Sequence, residues 1–188
     1  SGRDITKMKK IQLELERTLK TLDKQRKELE YQANHDSLTS LPNRILFTDR
    51  LNQSIKLAKR NNTKIALIYV DLDHFKEIND SLGHHVGDKI LIELTKRLKQ
   101  KIRNSDTISR LSGDEFGIII NDVNNVDDIL KFIEELMKIA EEPFSIEKHT
   151  LHVAMSLGIS VYPDDGDDVS ILLKNSDAAM YEAKNNGR

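Results

Sequence analysis

KIALIYVDLDHF, residues 64–75, decides the fold. Its apolar run from Ile65 to Val70 leaves no polar face for water, so it reads as a buried central strand covered on both sides. The run ends at Asp71, a carboxylate where the strand emerges. Upstream, residues 43–60 follow Pro42 and carry Leu46, Leu51, Ile55, Leu57 and Ala58 on one side, which predicts a helix. Downstream, the pattern predicts a short helix over 74–82, a glycine-bounded turn from Gly83 to Asp88, and a helix from Lys89 to Ile102 with Ile90, Leu91, Leu94 and Leu98 inward. Strands near 106–111 and 115–120 flank Ser112, Gly113 and Asp114 as a compact hairpin. A helix over 127–140, an alternating strand over 151–161 and a last helix over 169–185 complete the chain. The order β-α-β-β-α-β, with its middle strands joined by a hairpin, predicts an α+β domain: a mostly antiparallel central sheet with helices packed on it.

Residues 1–34 contain no proline, and their only glycine is Gly2, so they predict a long N-terminal helix ahead of a domain covering 35–188. Met8, Leu15, Leu22 and Leu29 recur every seven residues, with Ile11, Thr18 and Gln25 at the alternate positions. That weak heptad fits a paired coiled coil, and it also fits a lone amphipathic helix.

With 188 residues, 38% of them hydrophobic, the chain can bury one core plus an appendage. It has no cysteine, which removes disulfides, thiolate metal sites and cysteine nucleophiles together. No run of 18 apolar residues and no signal-peptide pattern is present, so the fragment reads as cytoplasmic without membrane contact of its own, while a membrane-tethered parent stays open. A net charge of −2 gives little reason to expect nucleic acid.

The chemistry concentrates in carboxylates. If the strand ending at Asp71 neighbours the hairpin carrying Asp114, two carboxylates meet at one rim of the sheet. Without a cation that arrangement carries repulsion and desolvation costs of several kcal/mol. Oxygen ligands beside phosphates suit magnesium, and two such ions about 4 Å apart can serve nucleotidyl transfer. Asp73 has no necessary metal role. Equally, Asp71 could simply end a strand and Asp114 fill a turn. The segment NDSLGHHVGD, 79–88, offers Asn79 and Asp88 to a purine edge between two close-approach glycines, or is a surface turn. His84 and His85 lack an HxxxH or HExxH partner, which argues against zinc, and neither GxxxxGK nor GxGxxG is present. Lys184 and Arg188 lie one turn apart near the end of the last helix, suited to phosphate or to a solvated basic helix end.

The stretches DSLTSLPNR (36–44), DLDHFKEIND (71–80), GHHVGD (83–88), RNSDTISRLSGDEF (103–116), SLGISVYP (156–163) and SDAAMYEAKNNGR (176–188) together resemble the GGDEF diguanylate cyclases. The resemblance covers essentially all of 35–188. It implies a palm-like fold and a Mg2+-dependent enzyme, Mn2+ being a substitute, that condenses two GTP into cyclic di-GMP across a homodimer. It implies Asp71, Asp114 and Glu115 as catalytic residues, with Asp71, Asp114 and the Leu72 carbonyl as metal ligands. Asn79 and Asp88 would read guanine. Phe75, Lys76, Lys184 and Arg188 would form the phosphate end, with the α-phosphate over Gly113. Arg103 and Asp106, an RxxD, together with Arg110 resemble the family's inhibitory product site, and they are equally an ordinary surface ion pair.

One position departs from the signature. Ser112 stands where its first glycine belongs, so a Cβ there implies strain if φ must be positive, or crowding of the nucleotide. A catalytically silent domain that binds GTP or cyclic di-GMP and regulates an adjacent phosphodiesterase domain is the alternative function. GHHVGD and GISVYPDDG resemble the wording of GGDEF domains that precede an EAL phosphodiesterase domain.

Overall fold

The structure is a computed structural model that describes residues 2–186. The chain divides into two compact units, Ser1–His35 and Asp36–Arg188. The first is the continuous helix α1 (Gly2–Asn34). Its later turns are laced by Arg26 to Asp23 and Glu30 at 3.1 and 2.8 Å, and by Lys27 to Asp23 at 3.0 Å. These pairs sit three and four residues apart, the spacing that stacks side chains along a helix.

The second unit holds α2 (Arg44–Asn61), β1 (Lys64–Leu72), α3 (Phe75–Leu82), α4 (His84–Lys99), β2 (Thr107–Ser112), β3 (Glu115–Val123), α5 (Val126–Glu141), β4 (Phe144–Ile146), β5 (His149–Leu151), β6 (Met155–Tyr162) and α6 (Val169–Asn185). The main sheet runs β2-β3-β1-β6, and all of its pairings are antiparallel. The α+β architecture with an antiparallel centre is therefore the one the sequence predicts. β1 is central, and the strand is buried from Ile65 to Leu72.

Alternation along β1 sorts its side chains into two cores. Ile65, Leu67 and Tyr69 pack with Phe47, Leu51, Ile55 and Ala58 of α2 and with Leu172 and Met180 of α6. Ile68, Val70 and Leu72 pack with Ile90, Leu91, Leu94 and Leu98 of α4. Each fully buried side chain of this kind contributes roughly 1.5–3 kcal/mol by leaving water. Asp71 continues the first series, so the strand delivers its carboxylate to the side where α2 and α6 lie. α6 seats closely on β6 because Gly158 has no Cβ: one built there would stand 1.8 Å from the Ser176 carbonyl oxygen.

Two local expectations are corrected. Gly83 to Asp88 is not a turn, because α4 already begins at His84 and ends at Lys99. Gly83 alone, at φ 93°, separates α3 from α4, and its N–H closes α3 on the Asn79 carbonyl at 2.9 Å. Val86 and Ile90 can then both face the core. The strand expected over 151–161 is likewise divided. Leu151 ends a separate hairpin, β4–β5, turned at Glu147 with φ 54°, and β6 starts at Met155. Three-residue strands are too short to display a period of two.

Candidate active site

Asp71 pairs with Glu115 across β1 and β3, and the Leu72 amide donates to the Asp114 carbonyl at 3.3 Å. The register thus presses the Ser112–Glu115 hairpin against the end of β1 and brings the two aspartates into one electrostatic neighbourhood. Burial pushes the Asp71 carboxyl above its ordinary range; the Asp114 charge adds to the rise, and the Lys184 ammonium opposes it. Asp114 is raised too, chiefly by burial, with its own backbone N–H and Lys184 opposing and Glu115 adding. Lys184 reaches in from α6 and places Nζ 2.6 Å from Asp71 Oδ1.

Among the described residues no group of three or more His, Asp or Glu side chains is arranged to hold a metal ion. The donors are therefore few and hard: the buried Asp71 carboxylate and the partly buried Asp114 carboxylate, with the Leu72 carbonyl next in the chain. Both aspartates resist ionising together, and a cation removes that cost. Such a set fits a magnesium-like ion that keeps water or substrate oxygens as its remaining ligands. At the tip, a Cβ added to Gly113 would meet nothing within 4 Å, so the backbone there is open to a ligand.

Glu115 is held by residues whose part the sequence did not reveal. Its Oε2 accepts from the Ser112 hydroxyl and from the Tyr69 hydroxyl at 3.2 Å. Arg44, in the first turn of α2, donates to the Tyr69 oxygen at 3.1 Å and stands 3.6 Å from the same Glu115 oxygen. Burial raises the Tyr69 phenol, Arg44 opposes this and Glu115 reinforces it. Ser112 is not among the described non-glycine residues with left-handed φ, which are Ser40, Asn62, His74, Asp122 and Glu147. The strain that a positive φ would have imposed on Ser112 is therefore absent.

Arg110 does not line the cleft beside Arg103. Its Nε donates to the Gly113 carbonyl at 2.8 Å, and its Nη1 reaches Asp36 Oδ1 and Oδ2 at 3.0 and 3.2 Å. Burial would raise the Asp36 carboxyl, but hydrogen bonds from Thr39 and the Arg110 charge outweigh it and hold the carboxyl below its ordinary range. Arg103 and Asp106 border a cleft of about 200 Å³ with Asn121, Asp122, Asp128 and Phe132. Asp106 is committed locally, one oxygen to the Asn121 amide at 3.0 Å and the other to the Arg103 amide at 3.3 Å. The Arg103 side chain is exposed.

Asn79, near the end of α3, packs against the first turn of α4. A Cβ on Gly87 would lie 1.9 Å from its side-chain oxygen, and that buried oxygen has no hydrogen-bond partner among the described residues. Asp88 follows Gly87 and is exposed. Phe75 is buried and Lys76, beside it, is exposed. Asp73 locks β1 to the start of β6: its N–H donates to the Ala154 carbonyl at 2.9 Å, and its Oδ1 accepts from Ser156 at 2.8 Å. Arg188 lies outside the described residues.

Comparison with known proteins points the same way. Residues 33–188 match the family described as Diguanylate cyclase, GGDEF domain. The chain is 44% identical over 168 residues to the bifunctional diguanylate cyclase/cyclic di-GMP phosphodiesterase MucR of Pseudomonas aeruginosa, covering 89% of this chain and 24% of MucR. It is 36% identical over 176 residues to the diguanylate cyclase TpbB of P. aeruginosa, covering 93% of this chain and 40% of TpbB. The chain therefore spans less than half of either relative. The solved GGDEF domain of TpbB superposes with a TM-score of 0.80 at 37% identity, over 82% of this chain and 90% of that one. The GGDEF domain of DgcB from Caulobacter crescentus, solved in complex with c-di-GMP, superposes with a TM-score of 0.76 at 26% identity, over 83% and 92%. With a match across 33–188 and an antiparallel sheet that sets its carboxylates at one rim, this chain belongs to the diguanylate cyclase GGDEF domain family.

Proposed function

We propose that this domain is an active diguanylate cyclase, joining two GTP into cyclic di-GMP and releasing two pyrophosphates. The observation that carries the reading is the convergence of Asp71 and Asp114, both pushed toward protonation, beside Lys184. A group of that kind is poorly balanced alone and becomes balanced around a cation and a polyphosphate. Asp71, Asp114 and the Leu72 carbonyl would hold Mg2+, or Mn2+, which supplies charge neutralisation at the phosphates and lowers the cost of ionising a hydroxyl.

The buried Asn79 oxygen accepts from a guanine edge, and Asp88 accepts beside it. Lys76, Lys184 and Arg188 hold the terminal phosphates, with Lys184 exchanging its contact with Asp71 for phosphate oxygen. The open backbone at Gly113 lets the α-phosphate approach. Two domains then face each other. The 3′-hydroxyl of one GTP attacks the α-phosphorus of the other, a new P–O bond forms, the bond to pyrophosphate breaks, and the hydroxyl proton is lost. The reciprocal attack closes the ring. Orientation and electrostatic stabilisation carry most of the rate, and no covalent protein intermediate is needed. A continuous 33-residue helix ahead of the domain would pair two copies and raise the local concentration of half-sites. Product would bind back at Arg103 and Asp106 and slow synthesis, with Arg110 joining only by leaving Asp36. The reaction would take place in the cytoplasm.

A silent regulatory domain is the second reading, favoured by Ser112 in the signature and by the bifunctional name of MucR. Incubation with GTP and Mg2+ at several protein concentrations, with products identified by mass, separates the two. Cyclic di-GMP forming at a rate that rises faster than linearly with protein supports the cyclase. GTP binding without product at any concentration leaves the regulatory reading.

A further inference from the structure

Ser112 and Glu115 are cross-strand partners at the mouth of the hairpin, so the reach of the Ser112 hydroxyl is set by strand register. The hydroxyl donates to Glu115 Oε2, the same oxygen that accepts from Tyr69 and faces Arg44. Both of the carboxylate's hydrogen bonds among the described residues fall on Oε2. Glycine at 112 would offer no side-chain donor. It would leave Glu115 to the Tyr69 hydroxyl at 3.2 Å and to Arg44 at 3.6 Å.

We propose that Ser112 is a positioning residue: its hydroxyl fixes the Glu115 carboxylate through Oε2 and so holds that charge beside its cross-strand partner Asp71, where the cation would bind. The departure from the signature is then a built-in contact that takes over orienting work the backbone alone cannot do. A hydroxyl donating to a carboxylate is among the stronger hydrogen bonds available to a side chain, and here it removes rotamer freedom from a three-torsion side chain. The inference rests on the cyclase reading for its effect on turnover and not for its effect on ion binding.

The test compares Ser112→Ala, Ser112→Gly and Ser112→Thr in the full chain. Mn2+ affinity is measured by paramagnetic resonance with 3′-deoxy-GTP present, a ligand that cannot react, and kcat and KM for GTP are measured at saturating Mn2+. Alanine and glycine are expected to weaken Mn2+ binding about fivefold and to lower kcat about tenfold, with KM within about twofold. Threonine, which keeps the hydroxyl, is expected to restore both to within about threefold. Alanine equal to the parent in Mn2+ affinity, alanine faster than the parent, or threonine no better than alanine would each overturn the assignment. If the parent makes no cyclic di-GMP the cyclase reading fails, and the Mn2+ titration still decides the role of Ser112.

Discussion

The β2–β3 hairpin has two ends, and they treat their arginines differently. At the turn end, Arg110 is 14% exposed and spends its guanidinium on Asp36 and the Gly113 carbonyl. At the open end, Asp106 is tied to backbone amides, and the exposed Arg103 side chain makes no ion pair among the described residues. One end has its arginine settled before a ligand arrives, and the other keeps its arginine available. Fixed dipoles and charges stabilise a transition state because they need not reorganise during the reaction. A reversible ligand site has the opposite need, a group whose best partner is the ligand.

The largest difference between the ends should appear in turnover. Asp114→Asn keeps the shape of the hairpin and removes one of the two carboxylates that a cation would neutralise. Cyclic di-GMP formation is expected to fall on the order of a thousandfold, while the melting temperature without added cation holds or rises, because a carboxylate whose charge burial disfavours has been removed. Initial rates and thermal melts check this; turnover within tenfold of the parent would place the chemistry elsewhere.

Stability should separate the two arginines next. Arg110→Met leaves Asp36 without its guanidinium in a pair where the two side chains are 14% and 19% exposed. The cost is expected to be about 2–3 kcal/mol in urea unfolding, against under about 0.5 kcal/mol for Arg103→Ala. The Asp36 carboxyl is depressed in the folded state, so its contribution is present above the ordinary carboxylate range and lost as pH falls through the folded value. Parent and Arg110→Met should therefore converge in stability on acidification. A gap that stays constant into acid would mean that the ion pair is not its source.

Asp71 and Asp114 carry the opposite sign. Their folded-state values are raised, so they favour the fold while protonated and lose that contribution as pH climbs from the ordinary carboxylate range through the raised values. Mg2+ should restore it. A melting-temperature gain of several degrees is expected near neutral pH and almost none below about pH 4. A gain independent of pH would point to ion binding away from this pair.

Much of this was legible in the sequence, and what was not has a common physical cause. A buried strand ending in an aspartate and a hairpin carrying another are local signals, so β1, the β2–β3 turn and the antiparallel architecture could be read directly. Asn79 and the glycines around it were also visible as a group, although Gly83 to Asp88 reads as a turn until Val86 and Ile90 are seen to need one helical face. The contacts that hold the site join residues far apart in the chain. Arg44 meets Tyr69 across 25 positions, Tyr69 meets Glu115 across 46, and Asp36 meets Arg110 across 74. Register and the face of β1 create those pairs, and no single stretch of sequence records them. Gly158 is similar: its necessity follows from the approach of α6, not from its neighbours in β6.

Arg103→Ala should have the smallest effect on the uninhibited reaction, and for that reason it tests the open end most cleanly. The Arg103 backbone N–H, which binds Asp106, survives the substitution, so the turn before β2 keeps its hydrogen bond while the guanidinium is removed. Initial rates without product are expected to stay within about twofold of the parent, whereas the cyclic di-GMP concentration needed for half-inhibition should rise about tenfold or more, since an arginine can engage guanine or phosphate with two donors at once. Arg103→Lys keeps the charge and loses the paired donors, so it should fall between the two. If all three proteins are inhibited equally, the cleft beside Asp106 and Asn121 is not where product acts, and the unsatisfied charge at that end of the hairpin serves another ligand.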